Sequence, residues 1–145
     1  MQKRDRKLRK TVDEAGFTLV ELLVVMVILV LLASFIGPRV MGYLGSSRSK
    51  SAGVQIQGLS TSLELYYLDM GRYPTTAEGL TALVEKPADA ATWNGPYLGK
   101  AVVPLDPWGK PYNYAQPGKK AAFDLYSLGR DNREGGTGED GDLWN

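Results

Sequence analysis

The chain of 145 residues contains neither cysteine nor histidine. Without thiols or imidazoles it has no means of forming a disulfide, a thiolate nucleophile or the usual zinc sites. A domain exported from the cytoplasm would then depend on packing, or on a hard metal ion bound by oxygen. A nucleophile–base pair and a phosphate-binding loop ending in lysine are also missing, which argues against an enzyme.

The chain as a whole has no large excess of positive or negative charge, since its net charge is +1. The charge is nevertheless uneven, because residues 1–16 carry six basic and three acidic side chains. No broad basic face remains beyond this segment, so a nucleic-acid partner is not expected. Because the basic residues precede an apolar run, the positive-inside rule keeps the N-terminus in the cytoplasm and sends the remainder outward.

That apolar run extends from Phe17 to Gly37. At about 1.5 Å per residue a helix of this length spans about 31 Å, enough to cross the hydrocarbon core of a bilayer. It is longer than the roughly 7–15 apolar residues of a cleavable signal peptide. The run therefore predicts a single-pass membrane anchor over 17–37, with Gly37-Pro38 bending the helix without ending it.

One carboxylate, Glu21, interrupts the run. An ionised group in a membrane segment costs about 3 kcal/mol on insertion scales and usually marks function. Three interpretations remain open from the residues alone. Glu21 reaches water at the cytoplasmic interface, it pairs with a basic group on a neighbouring chain, or it belongs to a signal for a processing enzyme.

The remaining sequence predicts an α+β fold, in which a long N-terminal helix packs on a small antiparallel sheet. Beyond Pro38 the apolar residues form one helical stripe as far as Met70, so 38–70 is an amphipathic continuation of the helix. The globular head occupies 71–145, with a short helix near 77–85. The segments 112–114 and 123–126 are predicted to pair as a hairpin. The stripe comprises Ile56, Leu59, Leu63, Tyr66 and Met70.

The final segment, "LGRDNREGGTGEDGDLWN", is rich in glycine and acidic residues. Composition alone favours a disordered, solvated tail. The alternative is a calcium loop, since calcium takes six to eight oxygen ligands from carboxylates, carbonyls and water. The spacing is not that of an EF-hand. The aromatic Trp144 after the acidic residues indicates a C-terminus that packs on the domain.

The stretch Gly16-Phe17-Thr18-Leu19-Val20-Glu21, which follows a basic leader and precedes the apolar run, resembles the class III signal of type IV pilins and pseudopilins. Four further segments, in order, resemble the major pseudopilins of type II secretion systems. They are "YYLDMGRYPTTAEGLTALVEKP", "WNGPYLGK", "DPWGKPYNY" and "LYSLGRDNREGGTGEDGDLW". The resemblance covers nearly the whole chain.

The resemblance implies that a prepilin peptidase removes the leader 1–16 by cutting after Gly16 and methylates the amine of Phe17. It implies that Glu21 meets the Phe17 amine of a neighbouring subunit, and Glu21 and Pro38 are the residues assigned to assembly. The expected product is a homo-oligomeric helical filament, the periplasmic pseudopilus, which helps to move folded proteins through the outer membrane. Expected partners are minor pseudopilins, the peptidase and an inner-membrane platform in a Gram-negative bacterium, with the head in the periplasm.

The same resemblance implies calcium in the C-terminal loop. The expected side-chain ligands are Asp131, Asp140 and Asp142, and the expected carbonyl donors are Leu128 and Thr137. Asn132 and Thr137 stand where a glycine and an acidic residue are commoner in the family. Two alternative functions are a type IV pilin that forms extracellular fibres and a monomeric, membrane-anchored calcium-binding module.

Overall fold

A computed structural model of the protein describes residues 17–119 and 121–145. The predicted leader 1–16, with the cleavage position Gly16, lies outside the described residues. The elements in chain order are helix α1 (Leu19–Met70), a 3-10 helix (Gly79–Leu83), strand β1 (Asn113–Ala115), strand β2 (Asp124–Ser127), a second 3-10 helix (Gly138–Asp140) and strand β3 (Leu143–Trp144). The predicted α+β class is confirmed.

Helix α1 is a single helix of 52 residues. It continues through Pro38 as predicted, because one proline removes a single N–H donor and leaves the flanking turns intact. The helix ends where Gly71 adopts a left-handed φ of 69° and donates its N–H to the Tyr67 carbonyl at 2.8 Å. A glycine directly after the last helical residue stops a helix in this way because it lacks a Cβ.

The chain divides into two compact units, Met1–Arg39 and Val40–Asn145. In the first unit the described residues are the apolar start of α1, and the large side chains between Leu19 and Ile36 are all at least 48% exposed. By length and composition this helix is able to cross a membrane.

The second unit has its core between the later turns of α1 and the head. The predicted stripe is confirmed at four positions, which are less than 3% exposed, while Met70 is partly buried against them. Side chains of the first 3-10 helix and of the sheet complete the cluster. The buried members are Ile56, Leu59, Leu63, Tyr66, Leu80, Ala82, Leu83, Tyr112, Phe123 and Leu125.

The sheet is antiparallel, with the order β1-β2-β3. The predicted hairpin is confirmed, since Tyr114 lies opposite Leu125. Strand β3 was not expected, and it comes from the acidic tail, where Trp144 lies opposite Tyr126 and stacks on its ring at 4.1 Å. The helix predicted near 77–85 is a shorter 3-10 helix over Gly79–Leu83. Gly79 has a φ of 60°, so no right-handed helix continues through it from the preceding residues.

Candidate functional site

Glu21 caps the first turn of helix α1. Its backbone N–H donates to Thr18 Oγ1 at 3.2 Å, and its Oε2 accepts from the Thr18 backbone N–H at 2.7 Å and from the Thr18 hydroxyl at 2.9 Å. This reciprocal pair is a capping box, and it satisfies N–H groups that have no partner inside the helix. The T-x-x-E spacing was present in the sequence, and Thr18 is a residue that sequence reasoning missed.

The capping box leaves one Glu21 oxygen available. Oε2 takes both hydrogen bonds from Thr18, whereas Oε1 accepts none from the residues that the structure describes. Phe17 directly precedes this turn and is 84% exposed. The carboxylate is therefore oriented by its own chain and still has an oxygen that a donor from another molecule can reach.

The acidic glycine-rich segment 128–142, called the acidic loop below, is anchored at its start to the head by Asp106. This carboxylate is only 5% exposed, and its Oδ1 accepts from the backbone N–H groups of Trp108 at 3.0 Å and Lys110 at 2.8 Å. Its Oδ2 accepts from the hydroxyl of Ser127, the last residue of β2, at 2.6 Å. Ser127 Oγ in turn accepts from the Gly129 N–H at 3.2 Å. A buried carboxylate with all these donors is satisfied.

The backbone of the loop folds back tightly on itself. A Cβ at Gly129 would lie 2.5 Å from the Glu139 carbonyl oxygen, and a Cβ at Gly136 would overlap the Asp140 carbonyl oxygen. Both glycines have positive φ angles, 67° and 81°. Both the positive φ and the close approach require glycine at these positions. Any residue with a Cβ would be strained and would displace the neighbouring backbone.

Each predicted side-chain ligand already accepts a hydrogen bond within the loop. Asp131 Oδ1 accepts from the Arg133 N–H at 3.1 Å, and Asp142 Oδ2 accepts from the Gly135 N–H at 2.9 Å. Both Asp140 oxygens accept from the Arg130 guanidinium, each at 2.9 Å. Across residues 17–119 and 121–145, no group of three acidic side chains is close enough to hold a metal ion.

One oxygen in the loop is buried and lacks a partner. Asp142 Oδ1 has almost no accessible surface and accepts no hydrogen bond within the described part of the chain. A buried carboxylate oxygen without a donor is costly, and a cation would satisfy it. Of the two predicted carbonyl donors, Leu128 directly follows β2 and is half-buried, whereas Thr137 is exposed and its carbonyl accepts from the Asp140 N–H at 3.2 Å. These donor types, carboxylate and carbonyl oxygens, are those that calcium takes, and binding requires that Asp140 is released from Arg130 and that the three carboxylates move closer together.

The loop is also joined to helix α1 through Glu139. Its carboxylate accepts from Trp108 Nε1 at 3.5 Å and lies 3.6 Å from the Arg48 guanidinium. The Ser49 hydroxyl donates to the Gly138 carbonyl at 3.4 Å. The tail is thus held at both ends and in the middle, by the head and by the helix. These contacts are not those of a solvated tail.

Comparisons with known proteins assign the chain to a class and then to a family. Residues 13–37 match the prokaryotic N-terminal methylation motif. Residues 39–145 match the model of type II secretion system (T2SS) protein G. The chain belongs to the T2SS protein G family.

Individual relatives agree with this assignment. The chain is 45% identical to the type II secretion system core protein G of Pseudomonas aeruginosa, with 92% of this chain and 95% of that protein covered. It is 42% identical to the core protein G of Vibrio cholerae, with 97% and 94% covered. The crystal structure of the major pseudopilin of enterohaemorrhagic Escherichia coli superposes with a TM-score of 0.61 at 33% identity, covering 72% of this chain and 91% of that one.

Proposed function

We propose that this protein is the structural subunit that polymerises into the periplasmic pseudopilus of a type II secretion system. The observation that carries the proposal is the exposed apolar start of α1, continuous with a helix that carries a folded head. Apolar surface on this scale is stable only in lipid or against other apolar surfaces. A bilayer supplies the first environment before assembly, and neighbouring copies of the same helix supply the second after assembly.

The subunit acts by assembly and has no catalytic activity of its own. It is anchored in the inner membrane, with its head in the periplasm, and its partners are further copies, minor pseudopilins and the inner-membrane platform. Family membership supports this arrangement, because relatives of nearly equal length are core proteins of type II secretion systems. The alternative function, that of a type IV pilin forming extracellular fibres, is disfavoured because residues 39–145 match protein G.

Processing by a prepilin peptidase prepares the subunit. Cleavage after Gly16 and methylation of Phe17 are supported by the methylation motif over 13–37. Mass spectrometry of the chain isolated from membranes is expected to show a protein that begins with N-methylated Phe17. An intact chain retaining 1–16 would contradict this processing, and together with a monomeric state it would favour the anchored calcium-binding module.

Glu21 pairs with the Phe17 amine of a neighbouring subunit. The free Oε1 and the fixed orientation of the carboxylate support this role. Pairing sets the register mainly because an isolated charge in the membrane is penalised, whereas the packed apolar helices stabilise the polymer. Pro38 contributes to assembly by bending the helix.

The substitution Glu21→Ala tests the pairing, and it is expected to abolish filaments in electron micrographs while the head stays folded. Glu21→Ala also removes the helix cap, so the matched control is Thr18→Ala, which removes the hydroxyl but keeps the carboxylate. Filaments are expected to persist with Thr18→Ala. Equal loss in both variants would show that the cap, and not the pairing, is required.

Calcium binds the acidic loop through Asp131, Asp140 and Asp142, with the carbonyls of Leu128 and Thr137. The buried, unpartnered Asp142 Oδ1 supports this site. The ion would add a further link between segments of the loop that hydrogen bonds and ion pairs already join. Because it binds only the folded loop, it stabilises the head by about 2.7 kcal/mol at a hundred times its Kd.

Chelation with EGTA is expected to lower the Tm of the full chain purified in detergent. Asp142→Asn is expected to abolish most of this difference. The control is Glu134→Gln, which neutralises an exposed carboxylate of the same loop that is not an expected ligand. A Tm that EGTA leaves unchanged in the unaltered protein would rule out a stabilising calcium site.

A further inference from the structure

We propose that Arg130 competes with the bound cation for the carboxylate of Asp140, and so sets the calcium affinity of the acidic loop. The inference rests on the calcium site proposed above. It concerns a residue of this chain that the sequence did not point to, since ten positions separate Arg130 from Asp140. The loop must fold before the two side chains meet.

The pair has the geometry of a strong ionic interaction. Arg130 Nε donates to Asp140 Oδ1 at 2.9 Å, and a terminal nitrogen of the same guanidinium donates to Oδ2 at 2.9 Å. This is the bidentate arrangement in which a planar guanidinium matches a carboxylate. The second terminal nitrogen lies 3.4 Å from Glu139 Oε2, and these neighbouring carboxylates raise the pKa of Arg130, so it remains a cation.

The backbone holds Arg130 at this position independently of its side chain. The Arg130 N–H donates to the Glu139 carbonyl at 2.8 Å, which brings the two ends of the loop together. A substitution of the side chain leaves this hydrogen bond in place. The effect of the guanidinium is therefore separable from the folding of the loop.

Arg130 and calcium cannot both use the Asp140 oxygens in this way. The guanidinium already covers both oxygens on the side where a bidentate cation would bind. Ligation through a single oxygen would still place a divalent cation beside a guanidinium, where like charges repel. Calcium therefore enters in exchange for Arg130, and its apparent affinity is reduced by the fraction of loops in which the pair is formed.

The competition is moderate, because the pair is partly open to water. The side chains of Arg130 and Asp140 are 56% and 31% exposed. Water weakens an ion pair between partly exposed side chains, so even this bidentate pair stabilises the loop only moderately. We therefore expect Arg130 to weaken calcium binding about threefold, enough to tune the site without closing it.

The test is a calorimetric titration of the full chain in detergent with calcium chloride alone. Arg130→Gln removes the guanidinium charge and is expected to lower the Kd about threefold. The matched control is Arg133→Gln, which removes the same charge from the same loop. Within the described residues the Arg133 guanidinium makes no hydrogen bond or ion pair, so this variant reports only the change in net charge.

The possible results distinguish this inference from the calcium site itself. A larger gain in Arg130→Gln than in Arg133→Gln supports competition, as does binding seen only in Arg130→Gln. Equal changes in the two variants, or weaker binding in Arg130→Gln, would overturn it while leaving the calcium site intact. No binding by either the unaltered protein or Arg130→Gln would overturn the site and the inference together.

Thermal unfolding gives a second readout. In EGTA, Arg130→Gln is expected to have a lower Tm than the unaltered protein, because it lacks the pair with Asp140. In calcium the difference is expected to shrink or reverse, because the ion has replaced the pair. A Tm deficit of the same size in both conditions would assign Arg130 a structural role only.

Discussion

The two halves of helix α1 bury their apolar side chains in different ways. In the first half every large apolar side chain between Leu19 and Ile36 is at least 48% exposed. In the second half Leu63 and Tyr66 are completely buried against the head. The same secondary structure therefore runs through both halves, but only the second is covered by its own chain.

In the residues that the structure describes, the reciprocal Thr–Glu hydrogen bonds of the first turn of α1 recur between Thr75 and Glu78, and the two pairs show the same contrast. Thr75 and Glu78 exchange hydrogen bonds at 2.7 and 3.2 Å, as Thr18 and Glu21 do. Glu78 is also held by Arg72 in a bidentate pair at 2.7 and 2.8 Å, so its charge is balanced within the chain. Among the described residues Glu21 has no such partner. The pattern is the same, but of these two glutamates only Glu78 pairs with a basic side chain in the described part of the chain.

The largest expected effect comes from shortening a side chain in the covered half. Leu63→Ala removes a completely buried side chain and is expected to lower the free energy of unfolding of the head by about 2–5 kcal/mol. The matched control is Leu29→Ala, at a position that is 54% exposed, and it is expected to leave head unfolding unchanged. Near-ultraviolet circular dichroism of the full chain in detergent measures both. Similar losses in the two variants would break the comparison.

The next effect concerns the buried polar contact beneath the acidic loop. Ser127→Ala leaves Asp106 Oδ2 without the hydroxyl that donates to it at 2.6 Å, and is expected to cost about 1–3 kcal/mol. The control is Ser60→Ala, because the Ser60 hydroxyl is buried and has no hydrogen-bond partner in the described part of the chain. Denaturant unfolding should show a loss only for Ser127→Ala. A loss of equal size in Ser60→Ala would mean that the hydrogen bond is not the cause.

A smaller effect is expected from acid. The Arg72 hydrogen bonds lower the pKa of Glu78 to about 2 from an ordinary value of 4.5. The stabilisation is therefore complete above pH 4.5 and is lost as the pH falls towards 2. We expect a loss of about 1–2 kcal/mol over this interval, discounted because Arg72 is partly exposed.

The measurement is the difference in Tm between the unaltered protein and Glu78→Gln as the pH is lowered. The difference is expected to be largest near neutral pH and to shrink below pH 4.5. Glu85→Gln, at an exposed carboxylate of the same segment, is the control and should follow the unaltered protein. A difference that does not depend on pH would exclude the ion pair as its source.

The smallest effect is expected at the cap of helix α1. Thr18→Ala removes the hydroxyl that accepts from the Glu21 N–H at 3.2 Å, at a cost of about 1 kcal/mol. Hydrogen exchange of that amide in micelles, followed by NMR, is expected to speed up about fivefold. Thr18→Ser keeps the hydroxyl and is expected to exchange at the original rate. Unchanged exchange in Thr18→Ala would show that the cap does not protect this amide.

Local sequence patterns predicted the buried stripe of helix α1 and the β-hairpin correctly. The stripe from Ile56 to Tyr66 follows from helical spacing, and the hairpin follows from two short apolar segments around a turn. These features depend on neighbours close in sequence, where periodicity is a direct consequence of backbone geometry. The expected ligands Asp131, Asp140 and Asp142 remain a prediction.

Contacts across the chain were not predictable in the same way. Strand β3 could not be predicted from its acidic, glycine-rich segment. It forms because Trp144 pairs with Tyr126 of β2 in the sheet and stacks on its ring. The Asp106–Ser127 contact joins residues 21 positions apart. Nothing in the composition of either segment distinguishes these partners from other polar residues.

The sequence by itself determined the apolar helix, its membrane-spanning length, the T-x-x-E motifs and the supply of oxygen ligands, since each is a property of consecutive residues. Only the tertiary structure decided which carboxylates are paired with a hydrogen-bond donor or a basic side chain. Asp140 is paired with Arg130, Glu78 with Arg72, and Glu21 retains an oxygen for a further donor. The physical reason is that the state of a carboxylate depends on the donors within about 3 Å, and folding brings these donors together.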